Sequence, residues 1–133
     1  MFYELATMTL PFGTAGQAAS HVAAFCQQPG AQGELLACWS TDIGVLNQLI
    51  VLRGFQTLAQ LQAERARTQA SASPYGCGEV YQDLAIDSYE GFAWMKPARP
   101  SAESGVTGPV YEIRTYGIKP GGVQATIDLW REY

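Results

Sequence analysis

The chain opens on an alternation. From Phe2 to Leu10, the residues Tyr3, Leu5, Thr7 and Thr9 fall on one side of an extended segment and Glu4, Ala6, Met8 and Leu10 on the other, the period of two that marks a β-strand. Neither side is wholly polar, so the strand belongs to a sheet with helices on one face and something else that excludes water on the other. "TAGQAASHVAAFCQQPG" then switches to a helical period. Ala15, Ala18, Ala19, Val22, Phe25 and Cys26 share one stripe, Thr14 and Gln17 are spaced as a capping box, and Pro29-Gly30 supply the stop. Two apolar runs, "ELLACWS" and "LNQLIVLRGF", flank "TDIGV", whose Asp and Gly suit a hairpin turn. Thr57 and Gln60 open a second helix with Leu58, Ala59, Leu61, Ala63 and Ala66 as its apolar face. "SASPYGCG" reads as a loop, and "EVYQDLAIDSYEGFAWMKP" holds a fourth strand.

The order strand, helix, strand, strand, helix, strand predicts an α+β fold, ferredoxin-like βαββαβ with an antiparallel sheet. Two helices cover only one face of four strands, and the apolar content of the other face predicts burial against a second sheet. A longer pattern overlies this one. "YELATMTLPFG" from Tyr3 and "YEIRTYGIKPG" from Tyr111 align without a gap, 108 residues apart. Solenoid periods are about 20 to 50 residues, so this spacing indicates a duplicated domain. The expected organisation is a domain at residues 2–97, a linker at 98–109, and at 110–133 the truncated start of a second repeat, a strand plus partial helix.

At 133 residues with 47% apolar and 15% charged positions, the chain has the composition of a globular domain, and its low charge suggests surface hidden in an assembly. A net charge of −4 and the lack of any Lys/Arg cluster argue against a nucleic-acid partner. No run reaches the apolar length of a membrane span, and the opening residues do not read as a secretory signal. Cys26, Cys38 and Cys77 are odd in number and lack CxxC spacing, which points to reduced thiols in a cytoplasmic protein.

The opening strand, the hairpin "CWSTDIGVLNQLIVLRGFQTLA" and the restart at Tyr111 together resemble the NIPSNAP family. Its members open with a YE-x-R-T-Y type strand and carry a W-S-T/S-E/D-I-G-x-L-N-Q hairpin, matched here by Trp39, Ser40, Asp42, Ile43, Gly44, Leu46, Asn47 and Gln48. The resemblance implies a ferredoxin-like fold of the dimeric α+β barrel type, in which two domains pack sheet against sheet, and so a homodimer or homo-oligomer. Relatives commonly continue with V-V-H-L-W-R-Y. Here Val51 stands at the histidine position and Arg53 at the tryptophan position, so chemistry that needs an imidazole at that point is missing.

Candidate chemistry is sparse. On the third strand Asn47, Val51 and Arg53 are expected to share a face with Leu49 and Phe55. A buried Asn or Arg must find partners. In a functional reading Arg53 holds an anionic or carbonyl group and Asn47 orients it, in a pocket with Trp39 and Phe92. In the structural reading, which we favour, Arg53 pairs with Glu4 or Asp42 and Asn47 pins the hairpin. His21, the single histidine, lies beside the apolar stripe of the first helix and reads as a boundary residue. Cys38 has no basic neighbour in sequence to activate it, and Asp83, Asp87 and Glu90 read as solvated. The sequence indicates no cofactor and no metal site. These features favour a NIPSNAP-domain binding or interaction module of unassigned activity that assembles through its sheet faces. The alternative is a cofactor-independent monooxygenase or isomerase acting on a small hydrophobic or aromatic molecule, with Trp39, Asn47, Arg53, His21 and Phe92 as its candidate pocket.

Overall fold

The computed structural model describes residues 1–95 and 110–132; the linker expected at 98–109 lies outside them. The chain divides into two units, Met1–Pro100 and Ser101–Tyr133.

The first unit runs β1 (Phe2–Thr9), α1 (Ala15–Cys26), β2 (Glu34–Ser40), β3 (Gln48–Phe55), α2 (Leu58–Ala70), a 3-10 turn (Pro74–Gly76) and β4 (Asp83–Glu90). The strands form one antiparallel sheet in the order β2-β3-β1-β4, the ferredoxin-like arrangement. β1 lies between β3 and β4, and β2 carries a bulge between Leu35 and Ala37.

Alternation decides what each face does. Glu4, Ala6, Met8 and Leu10 are buried, as are Leu49, Val51, Arg53 and Phe55. Ala18, Val22 and Phe25 of α1 and Leu61 of α2 are buried with them. The opposite face carries Tyr3, Leu5 and Thr7 on β1, Ile50 and Leu52 on β3, Ala37 and Trp39 on β2, and Ala85, Asp87 and Tyr89 on β4, placed there by their cross-strand pairing. These positions are half-buried or exposed. Among the described residues of the first unit, both helices pack on the other face.

The helix starts differ in detail from the spacing that predicts them. The hydroxyl of Thr14 donates to the Pro11 carbonyl at 2.8 Å instead of capping α1. At α2, Thr57 Oγ1 accepts from the Gln60 amide at 3.2 Å, while Gln60 Oε1 accepts from Gln56 at 3.0 Å, one residue earlier than in a standard capping box. The larger difference is the rotation of α2. Leu61, Glu64 and Thr68 face inward, whereas Leu58, Ala59, Ala63 and Ala66 of the expected apolar face are exposed.

In the second unit, residues 110–118 have no ladder partner among the described residues, and α3 spans Val123–Glu132. The junction ahead of this helix matches the one ahead of α1. Gly13 has φ +80 and Gly121 φ +81. The Thr14 amide donates to Pro11 O at 3.3 Å and the Gly122 amide to Lys119 O at 2.9 Å; the Ala18 amide donates to Thr14 O at 2.9 Å and the Thr126 amide to Gly122 O at 3.1 Å. Each pair is offset by the same 108 residues as the sequence repeat. Tyr116 packs edge-on against Trp130, ring centroids 5.9 Å apart. Among the described residues no helix is long and apolar enough to cross a membrane.

Candidate functional site

Arg53 places a guanidinium on the helix-covered face of β3, where it is buried. A charge there must be compensated by groups that the fold brings to it. Its Nη2 donates to the Gln32 carbonyl at 2.7 Å. Its Nη1 lies 2.7 Å from Glu64 Oε1, an ion-pair contact whose angle falls outside hydrogen-bond geometry. The ring of Phe55 lies 5.4 Å from the guanidinium carbon. Glu64 is the hub. Its carboxylate also accepts from the Gln32 amide at 2.9 Å and from Arg67 Nη2 and Nε at 2.6 and 2.9 Å.

Arg67 extends the cluster to α1. It donates to the Phe25 carbonyl and to Gln28 Oε1, both at 3.0 Å, and lies 3.9 Å above the Phe25 ring. α1 has no basic residue in its own last turn, so Arg67 brings the cation that a helix C-terminus favours. Burial pushes the Glu64 carboxyl up, but hydrogen bonds from Arg67 and the Gln32 amide, with the adjacent Arg53 charge, outweigh it and hold the group below the usual carboxylate range.

Glu4, the cross-strand partner of Arg53, is buried but turns elsewhere. Its Oε1 accepts a short hydrogen bond from the Tyr75 hydroxyl, and Arg65 Nε lies 4.0 Å from its Oε2. Tyr75 is fully buried in the 3-10 turn with φ +55, a rare conformation for a bulky residue. Burial, then the adjacent Glu4 charge, push its phenol well above the ordinary tyrosine range.

The five side chains picked out from sequence occupy five different environments. Arg53 lies in the buried cluster, with Glu64 on α2 as its ion-pair partner in place of Asp42, which sits in the exposed hairpin turn. Trp39 pairs across from Ile50 on the opposite face of the sheet. Asn47 precedes β3, is exposed in the left-handed conformation (φ +57), and its carbonyl accepts from the Leu10 amide at 2.8 Å. His21 is half-buried on α1 beneath Gly76, where a Cβ would lie 3.0 Å from the His21 carbonyl oxygen; its Nδ1 is buried without a hydrogen-bond partner. Phe92 follows β4 and stacks on Trp94, centroids 5.3 Å apart at 4°. Arg53 and Trp39, on opposite faces, do not line one pocket. A surface groove in the second unit, lined by Tyr116, Ile118, Lys119, Thr126 and Trp130, involves none of the five.

Sequence reasoning missed Glu64, Arg67 and Tyr75. The available signal was the surplus of charge on α2, where Glu64, Arg65 and Arg67 fall within four residues opposite a strand bearing an inward arginine. Chemically the cluster pairs its buried charges with one another, tying α1, α2 and the Gln32 loop to the sheet. Among the described residues no group of three or more His, Cys, Asp or Glu side chains could hold a metal ion.

A family model described as NIPSNAP matches residues 3–93. Similar solved structures include a NIPSNAP-like domain protein from Burkholderia xenovorans, 22% identical over 72% of this chain and 89% of that one, with a TM-score of 0.57. A NIPSNAP domain protein from the same organism is 16% identical over 73% of this chain and all of that one, TM-score 0.54. A NIPSNAP family protein of unknown function from Agrobacterium tumefaciens is 25% identical over 76% of this chain and 91% of that one, TM-score 0.51. No curated protein matches.

Proposed function

The chain belongs to the NIPSNAP family, and from that premise we propose that it is a binding or interaction module that assembles as a homodimer through the open face of its sheet, in the manner of the dimeric α+β barrel. The observation that carries this reading is the composition of that face. Leu5 and Leu52 form one cross-strand rung, Thr7 and Ile50 the next, and Trp39 extends the second onto β2. Antiparallel sheets that face water usually alternate apolar-in with polar-out; here Leu5, Ile50, Leu52 and Trp39 make the open face of β1, β3 and β2 largely apolar, with Asp87 of β4 across from Leu5 toward its edge. Two such faces pack about 10 Å apart with interdigitating side chains, and a small hydrophobic ligand would be held between them.

Residues 110–132 belong to the same proposal as the opening of a second repeat, supported by the matched glycine turn and helix start. A cytoplasmic location fits the three free thiols. A monooxygenase or isomerase would need Trp39, Asn47, Arg53 and His21 around one cavity, and no observation favours that arrangement.

Sedimentation velocity over a dilution series tests the assembly. The chain is expected to sediment as a dimer, and Leu5→Asp, which sets a charge in the middle of the face, to dissociate it at least a hundredfold more readily. A chain that stays monomeric at every concentration would sink the reading.

A further inference from the structure

The tip of the β2–β3 hairpin exposes what a soluble loop usually hides. Ile43, Val45 and Leu46 are 92%, 67% and 55% exposed, and Phe12, in the loop between β1 and α1, is 91% exposed. These two loops leave the same end of the sheet and are tied together by the Leu10 amide, which donates to the Asn47 carbonyl at 2.8 Å. The base of the tip is closed on both strands. The Thr41 amide donates to Gln48 O at 3.0 Å and the Gln48 amide to Thr41 Oγ1 at 3.1 Å. The apolar side chains therefore stand on a hydrogen-bonded frame and contribute nothing to the core of their own domain.

We infer that this tip, with Phe12, is a latch that closes over a second copy of the chain. The inference rests on the sheet-face dimer proposed above and names the residues that complete it. Area is the first argument. Four strands of seven or eight residues, at about 4.8 Å spacing and about 3.3 Å rise, present roughly 500 Å² a side. As a flat footprint this totals roughly 1,000 Å² for two copies, which puts the sheet faces alone near the lower end of the ~1,200–2,000 Å² of accessible surface that stable, specific interfaces bury. Burying a large apolar side chain removes on the order of 100 Å², so the four tip side chains of each copy would bring the contact well into that range.

Continuity is the second argument. Trp39 and Ile50, the last apolar rung of the open face, lie directly before the tip. The hairpin occupies a corner of the sheet, and packed sheets are rotated by about 30°, which leaves a corner loop reaching past the matched faces. A lipid surface fits less well. Asp42 is the one charged residue in the tip, and the chain as a whole carries −4, which disfavours anionic headgroups.

The test is sedimentation velocity of the full chain beside two variants, the triple Ile43→Ser, Val45→Ser, Leu46→Ser and the single Phe12→Ser. Both variants are expected to keep the wild-type circular dichroism and a cooperative unfolding transition, since the altered side chains are exposed, while the dimer Kd rises at least tenfold. A wild-type dimer whose Kd is unmoved by either variant overturns the latch and leaves the sheet-face reading standing. A monomeric wild type overturns both. Flotation of the wild type with phosphatidylcholine vesicles, abolished by the triple variant, would also overturn the latch by assigning the tip to a lipid surface.

Discussion

Arg53 of β3 and Glu64 of α2 approach to 2.7 Å with side chains 1% and 0% exposed, an ion pair closed off from water between sheet and helix. Such a pair contributes little relative to well-packed apolar residues, yet breaking it leaves a bare buried charge. Glu64→Leu alone is therefore expected to cost about 3–5 kcal/mol, and Arg53→Met with Glu64→Leu to recover a large part of that loss. Urea unfolding of the two single variants and the double provides the cycle. A double variant no more stable than Glu64→Leu would mean that the pair is not the unit of stabilisation.

Acid should weaken the same joint. Burial raises the Glu64 carboxyl, the hydrogen bonds from Arg67 and the Gln32 amide and the charge of Arg53 lower it by more, and the net folded pKa is below the ordinary 4.5. The unfolded chain then binds more protons in that range, so the contribution of Glu64 is complete above 4.5 and lost as pH falls through the folded value. Urea midpoints between about pH 2 and 7 should fall less steeply toward acid in Glu64→Gln than in the wild type.

Alkali acts on Tyr75. Its phenol is raised from the ordinary 10.0 by burial, then by the Glu4 charge and hydrogen bond, so the folded state keeps a proton that the unfolded chain releases. Stability supplied by Tyr75 is complete below pH 10.0 and declines as pH rises above it. Tyr75→Phe is expected to be less stable at neutral pH, because Glu4 loses a donor, and to lose less on going to pH ~11. An equal alkaline loss in both proteins would assign the effect to other groups.

Gly33 adjoins Gln32, whose amide and carbonyl both serve the buried cluster. It has φ +76, and a Cβ there would lie 2.5 Å from the Phe55 ring and 2.7 Å from Gly54 O. Gly33→Ala should therefore cost more than the ~1–2 kcal/mol of left-handed backbone strain alone, read as a drop in the urea midpoint. An alanine variant as stable as the wild type would show that the turn can move.

The thiols should be inert while the chain is folded. Burial chiefly, with Cys26 and Cys77 adding, pushes Cys38 up to about 11, and burial also raises Cys26 and Cys77. At pH ~8 a thiol-labelling reagent is expected to react far more slowly with the native chain than in denaturant. A fast native phase that Cys38→Ser removes would contradict this.

Much of the sheet was legible because alternation reports burial directly. Glu4, Ala6, Met8 and Leu10 face inward as their spacing indicates, and Arg53 alternates with Leu49, Val51 and Phe55 as expected. α2 was not legible in the same way. Its alanines and Leu58 form the more apolar stripe, but Arg53 needs a counter-charge, and the helix turns Glu64 inward to meet it. Hydrophobic periodicity cannot register an ion pair made between elements. Asn47 leaves the expected strand face because its left-handed backbone ends the hairpin turn one residue before β3. Tyr75 sits in a segment that composition marks as loop, and its burial depends on Glu4, 71 residues away.

The two outer strands of the sheet also bear on which of its borders can accept another strand. β2 is interrupted by its bulge between Leu35 and Ala37, and β4 carries Asp83, Asp87 and Glu90, all exposed. A bulge twists a strand out of line and like charges repel a copy of themselves, the two devices that keep a sheet from extending sideways. Growth strand by strand into a fibre is therefore opposed at both borders of the sheet.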